Sequence, residues 1–361
     1  MGDLFDGIEE QEIEEEKRKA PSSDRPRILV VGMNYIGDTL FTTPLIRALA
    51  KHRPNAVIDV LNGVRGTAML TENPHVASVI PKPARGDKKA MEQLIARLAE
   101  TRYESAVIAS TSFESAWIPY RAKIPVRSGI RSELRSFMLT HAQASKNRHI
   151  ILRILDALEP LSIPSDGVHM ELVLTKAEEK DAISVLSKKR LAKEKFLVVH
   201  AGATRRQKRW PVEYFIKLIT TFRKSVGAPV VLIGGPEDAM LNTIIAADCK
   251  KSIALDLTAA VSLRVLAGVI RNAWAFVGND SAPLHIASAM NVHTVGLFGQ
   301  TDPLVYGTLH EGGTIISARQ TCPPLKRALC SVTRGCRGAA CMDNITVEEV
   351  LDALRAIYSW A

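Results

Sequence analysis

The stretch ILVVGMNYIGDTLFTTPLIRALAKHRPNAVIDVL, residues 28–61, restricts the fold most. Ile28 to Val31 is an unbroken apolar run, the pattern of a parallel strand covered on both faces. Gly32 and Gly37 bracket the following turn and permit close backbone approach to a ligand. Leu40, Phe41, Leu45, Ile46 and Leu49 then recur at helical spacing, and Val57 to Leu61 reads as a second strand. Pro44 removes an internal hydrogen bond from that helical run, so a kink or an irregular first turn is expected. Asp38 stands where the turn becomes the helix. Taken alone it reads most simply as a helix N-cap. At the carboxyl end of a parallel strand, where open α/β folds bind ligands, it also reads as a catalytic base.

The same rhythm continues along the chain. A short strand is expected from Val76 to Ile80, a helix from Lys88 to Leu98 and a strand from Ser105 to Ala109. Trp117 to Ile124 carries the pattern on to Pro125. The segment 128–158 and its approach are basic, with Arg127, Arg131, Arg135, Lys146, Arg148 and His149. That run reads as a solvated loop or as a rim for an anionic ligand, followed by a helix from Ile150 to Leu158. SIPSDGVHMELVLT reads as a polar loop with one short strand, and a charged helix follows it. A domain boundary is therefore expected near residue 172. Strand and helix patterns then alternate again, with strands at FLVVHAGA, PVVLIGG, AFVGND and HTVGLFG. This is an α/β chain of two domains with parallel sheets.

Charge is unevenly spread. Residues 1–20 hold eight acids and three bases, a net of −5 within a chain of +9, which leaves +14 on the rest. Residues 1–26 read as an acidic, flexible arm that PSSDRP separates from the first strand. The basic body suits anionic lipid or phosphorylated small molecules. Nucleic acid is disfavoured, because 5% of residues are aromatic and no basic-aromatic platform is visible. No run approaches the length of a membrane span and no signal peptide is visible, so a cytoplasmic location is expected.

Three loops of the second half follow expected strands and so share one sheet edge. HAGATRRQKRWP offers small residues at Ala203 and Thr204 and a cation at Lys208, which suits a diphosphate or an ordinary basic turn. IGGPEDA offers Glu237, either a ribose-diol acceptor or an acid favouring a helix N-terminus. In GNDSAPLHIASAM, Asp280 or Ser281 caps a helix whose first amides, at Ser281 and Ala282, form a ready anion site, with His285 one turn in. A lone histidine on a helix is more often packed than catalytic.

In order and spacing, VGMNYIGDTLFTTPLIRAL, HAGATRRQKRWP, IGGPED and GNDSAPLHIASAMNVHTVGLFGQTDP resemble the motifs of glycosyltransferase family 9, the ADP-heptose:lipopolysaccharide heptosyltransferases. The resemblance runs from about Arg27 to the C-terminus. It implies a GT-B fold, two Rossmann-like domains facing across a cleft. Residues 27–172 would take the acceptor and 173–345 the nucleotide sugar, while a helix in 346–361 returns toward the first domain. It further implies an inverting transfer from ADP-heptose to a lipid-linked Kdo or heptose acceptor, without metal or other cofactor. Asp38 matches the base and Lys208 the phosphate- and sugar-contacting lysine. Ala203, Thr204, Glu237, Asp280, Ser281, Ala282 and His285 would bind the donor. Asn34, Gly37, Arg127, Arg131 and Arg148 would face the acceptor. Helix-terminal amides are expected to hold Asp38 ionised. Expected partners are the nucleotide sugar and the acceptor, with peripheral inner-membrane contact and a monomer or weak oligomer. The chain departs from the family at Ala282, where glycine is usual, and at Asn34 and Tyr35.

Cys322, Cys330, Cys336 and Cys341 crowd the C-terminal region, resembling a cysteine-bearing segment of family members. Without paired C-x-x-C spacing, reduced thiols or disulfides are expected rather than a metal cluster. Rival functions are a GT-B transferase with another nucleotide sugar or another glycan or protein acceptor, and a non-catalytic sugar-nucleotide binder.

Overall fold

Leu29, Val30 and Val31 are fully buried, as their apolar run requires of a central strand. They belong to β1 (Arg27–Val31), which pairs in parallel with β2 (Val57–Gly63) and β4 (Ser105–Ile108). With β3 (Ser78–Lys82), β5 (Val126–Ile130) and β6 (His141–Gln143) the sheet order is β3-β2-β1-β4-β5-β6. These assignments come from a computed structural model that describes residues 25–132, 134–249, 251–318 and 341–359.

The second half repeats the plan. β7 (Leu197–His200), β8 (Val230–Ile233), β9 (Ile253–Asp256), β10 (Ala275–Asn279), β11 (His293–Phe298) and β12 (Gly313–Ser317) form a parallel sheet in the order β12-β11-β10-β7-β8-β9. Counting each sheet from its own first strand, both have the doubly wound order 3-2-1-4-5-6. Both therefore reverse direction between first and fourth strands, where a crevice opens at the carboxyl ends.

Four local expectations change. Pro44 does not kink one helix; it opens a second. The helix Ile36–Leu40 ends before Phe41, and Thr43–His52 begins with proline in its first turn, where the missing N–H costs nothing. The basic run from Arg127 is not a loop throughout, since it supplies most of β5 and all of β6. MELVL forms no strand. Residues of that stretch instead lie along the first domain, where Arg47 binds Asp166 at 3.0 Å, Glu171 at 3.1 Å and the His169 carbonyl at 2.9 Å.

The fourth concerns the last helix. Among the described residues, Val347–Ser359 packs chiefly on the second domain, against β11, β12 and the helix Val212–Ser225. Its stripe Val347, Val350, Leu351 and Leu354 lies in one apolar cluster with Leu197, Phe215, Phe222 and Val295. Tyr358 meets Phe222 edge-on at 5.2 Å. A helix with one apolar stripe covers one sheet face, and this stripe is spent on its own domain.

One buried cation staples the halves. Arg264 donates to the Ala68 carbonyl at 2.7 Å, the Val173 carbonyl at 2.6 Å and Glu178 Oε2 at 2.8 Å. Thr175 and Glu178 form a capping box at the start of Lys176–Ser187. The hydrogen bond from Arg264 is the main reason that the Glu178 carboxyl falls to about 2. Removing Arg264 takes hydrogen-bond partners from part-buried Glu178 and from the Ala68 and Val173 carbonyls, so Arg264→Ala should cost about 2 kcal/mol in chemical denaturation. Because the folded carboxyl lies below its ordinary range, wild-type stability should drop as pH falls from the glutamate range toward 2, and the variant should lack that contribution.

Candidate active site

The first sheet's turn is built for close packing. Between β1 and Ile36–Leu40, the Asn34 side chain accepts from Lys82 Nζ at 3.2 Å, and Lys82 also pairs with Glu114 at 3.3 Å. Tyr35 is the N-cap residue, so Asp38 lies inside the first turn. No side-chain cap bond forms there, which corrects the N-cap reading. Helix-terminal amides are not among the groups that set the titration of Asp38. Burial raises the Asp38 carboxyl above its ordinary value, against the opposing pull of His285 and Lys208 and with a further push from Asp280. All three groups come from the second half.

A narrow contact produces that meeting. Gly37 packs against the helix Ala282–Ala289, and a Cβ there would lie 2.8 Å from His285 Cδ2. The His285 ring is edge-on to Phe41 at 4.6 Å. His285 Nε2 lies 3.5 Å from Asp280 Oδ1, and Lys208 Nζ lies 2.6 Å from Asp280 Oδ2. Burial alone would raise the Asp280 carboxyl, but the hydrogen bonds and charges of His285 and Lys208 more than offset it and hold it far below the carboxylate range. The buried His285 Nδ1 has no hydrogen-bond partner among the described residues. Tyr306 joins the group, its hydroxyl raised by burial and by the charges of Asp38 and Asp280.

The three loops of the second sheet are tied together below this surface. His200, the last residue of β7, links Ser281 Oγ at 3.1 Å and Asp238 Oδ2 at 3.3 Å through its two ring nitrogens. Asp238 also accepts from the Gly235 amide at 3.1 Å. Gly202 has no room for a side chain, since its Cβ would sit 2.1 Å from Asp238 Oδ1. Thr204 and Glu237 are exposed, whereas Ala203 is buried with its carbonyl bound to Arg209 at 2.9 Å. Ser281 caps Ala282–Ala289 from an extended backbone, and Pro283 in the first turn carries no amide. At this helix start the backbone donors left for a ligand are thus those of Ser281 and Ala282.

A sequence profile of glycosyltransferase family 9 (heptosyltransferase) matches residues 91–334. The chain belongs to glycosyltransferase family 9. This glycosyltransferase is 31% identical to lipopolysaccharide heptosyltransferase 3 of Escherichia coli (strain K12), over 75% of this chain and 81% of that one. It is 28% identical to lipopolysaccharide heptosyltransferase 2 of Salmonella typhimurium, over 77% and 84%. The solved structure of E. coli ADP-heptose lps heptosyltransferase II matches with a TM-score of 0.73 at 25% identity, over 92% of this chain and 99% of that chain. The two parallel sheets are those of a GT-B enzyme.

Within this family 9 enzyme, Asp38, Gly37, Lys208, Asp280, Ala282 and His285 come together, with Ser281 beside them. Arg127 does not. It is the second residue of β5, at the amino end, away from the crevice. Its guanidinium binds the carbonyls of Met138 at 2.6 Å and Ile124 at 2.5 Å, which corrects its acceptor assignment. Arg148 is committed to Asp302 at 2.6 Å, joining the two halves. Arg131 is exposed just past the carboxyl end of β5. Cys322, Cys330 and Cys336 lie outside the described residues, while Cys341 is buried. Among the described residues no His, Cys, Asp and Glu group has metal-holding geometry. His200 and Tyr306 escaped sequence reading; a polar residue closing the apolar run FLVVH was the available signal for the first.

Gly37→Ala should displace His285 and widen the meeting of the halves. Misplacement of this kind costs up to about 10²-fold in rate. Turnover should fall far more than ADP affinity, as read by steady-state kinetics and calorimetry.

Proposed function

We propose that this glycosyltransferase moves heptose from ADP-heptose to an inner-core lipopolysaccharide acceptor carrying Kdo or heptose, with inversion and without a metal ion. The observation that carries the reading is the placement of Asp38 against Lys208, Asp280 and His285 across the two domains. The relatives named as lipopolysaccharide heptosyltransferases support the sugar and the acceptor class.

In this reading, Asp38 takes the proton of an acceptor hydroxyl as that oxygen bonds to the anomeric carbon. The bond from that carbon to the diphosphate breaks, and ADP leaves with the electron pair. Burial makes Asp38 a stronger base than an exposed aspartate, in line with proton transfer near neutral pH. Lys208 and the amides of Ser281 and Ala282 receive the growing negative charge on the leaving phosphate. Glu237, exposed and without an ion pair among the described residues, is placed to accept from a ribose diol. Asp280 holds Lys208 and His285 in position and orients toward the sugar hydroxyls. The acceptor's lipid places the enzyme at the cytoplasmic face of the inner membrane, as a monomer or weak oligomer. Among the described residues no helix is long and apolar enough to cross a membrane.

Asp38→Asn tests the base. Turnover should fall about 10²- to 10⁴-fold while ADP affinity is retained. Wild-type kcat should rise with pH along a limb displaced upward from the ordinary aspartate range. Above that limb the wild type carries a buried charge, so the asparagine variant should melt at a higher temperature; the gap should close as pH falls and Asp38 protonates. Wild-type turnover in this variant would remove Asp38 from the mechanism.

The donor site is tested by thermal shift with ADP, UDP, GDP and CMP, all in EDTA. Selective stabilisation by ADP is expected, and Lys208→Ala should lose it together with about 10²-fold or more in kcat. A response that needs added divalent ion would reject metal-free binding.

A further inference from the structure

The flank of the first domain carries an aromatic and cationic surface that the transfer site does not use. Phe113, Trp117 and Tyr120 recur at i, i+4 and i+7 along the helix Phe113–Arg121, so they share one face. Phe113 is 51% exposed and Tyr120 43%. Across from them stand Phe137, 70% exposed and edge-on to Tyr120 at 6.2 Å, and Leu134, 78% exposed. Large apolar side chains this open, and gathered on one flank, mark an interaction surface.

The surrounding charge says what kind. Tyr120, Arg121, Lys123 and Arg127 line a shallow hollow of about 410 Å³. Lys123 has no carboxylate partner among the described residues, Arg121 has only an exposed pair with Glu92 at 3.1 Å, and Arg127, though hydrogen-bonded to backbone carbonyls, adds a positive charge that no carboxylate among the described residues offsets. Glu114, on the same helix, is paired with Lys82. Cations set around protruding aromatic and aliphatic groups match an anionic bilayer, whose headgroups take the charges and whose acyl boundary takes the apolar tips.

We propose that this flank docks the enzyme on an anionic lipid surface. The proposal deepens the lipid-linked acceptor reading and names the part of the protein that meets the membrane. Two other occupants fit less well. Base stacking needs open aromatic faces; here Arg127 lies over the Tyr120 ring at 5.5 Å and Arg121 over Trp117 at 5.1 Å. A second copy related by a two-fold axis would bring an identical positive cluster into the same interface.

Sedimentation of the full chain with phosphatidylcholine vesicles, with and without phosphatidylglycerol, tests this. Binding should require the anionic lipid and weaken with salt. Leu134→Ser combined with Phe137→Ser, and separately Lys123→Glu, should each reduce partitioning about tenfold with unchanged thermal melting. No binding to anionic vesicles, or binding that both variants retain, would overturn the proposal. So would a solution mass that falls in the variants, which would make the flank a self-association surface, or displacement of vesicles by an oligonucleotide. Vesicle binding is read without turnover, so its failure is distinguishable from failure of heptosyl transfer.

Discussion

A Cβ at Gly37 would lie 2.8 Å from the ring of His285, so the two halves meet with no room for one methyl group. Much of the site's chemistry follows from that approach. It brings the helix after β1 against the helix after β10, the corresponding crevice positions of two sheets with the same strand order. It also removes water from Asp38, and burial is the largest influence on that carboxyl. His285, whose ring fills the contact, is at once a packing group against Phe41 and a partner of Asp280. The choice between a packed and a chemical histidine therefore dissolves here, because its packing delivers its ring nitrogens to the site.

Two carboxylates within this small volume are driven in opposite directions. Asp280 has Lys208 and His285 in contact and is held as an anion. Asp38 lies near the same two groups, with no side-chain hydrogen bond or ion pair to either among the described residues, and burial prevails. Separation of this kind suits a division of roles: the anion fixes the geometry of Lys208 and His285, and on the proposed reading the raised carboxyl exchanges a proton. Tyr306 is drawn into the same field from the loop after β11. His149 adds a neutral tie nearby, with Nε2 bonded to the Gly307 carbonyl at 2.8 Å and its ring pushed down by burial. The loop after β11 is thus held from the first domain at Asp302 and at Gly307.

The strand-turn-helix at 28–49 and the two α/β halves were legible because local pattern and strand-end rules carry them, whereas the meeting of Asp38 with Lys208 and Asp280 was legible only through the resemblance to glycosyltransferase family 9. What escaped depended on distant partners. His200 is defined by residues 38 and 81 positions away. Arg127 was misplaced because its neighbours in sequence do not reveal which end of a short strand it occupies. β6, three residues long, has too little pattern to register. The last helix kept its expected span, yet its partner domain depended on which apolar surface lacked cover.

The basic character of 127–148 shows why charge alone is a poor guide to an anion site. Arg135 is fully buried with no carboxylate partner among the described residues, and its guanidinium binds the carbonyls of Ser110 at 2.5 Å and Ile130 at 2.6 Å; burial lowers it to about 10. Arg127 closes carbonyls at the other end of the same strand. A guanidinium has five donors in a fixed fork, enough to satisfy several loop carbonyls that a narrow sheet edge leaves without partners. These cations are spent on backbone, as Arg148 is on Asp302. Arg131, exposed past the carboxyl end of β5, is then the member of the run best placed to meet an anionic acceptor. Hydrogen-bond accounting, and not net charge, separates the structural arginines from Arg131, whose guanidinium has no partner among the described residues.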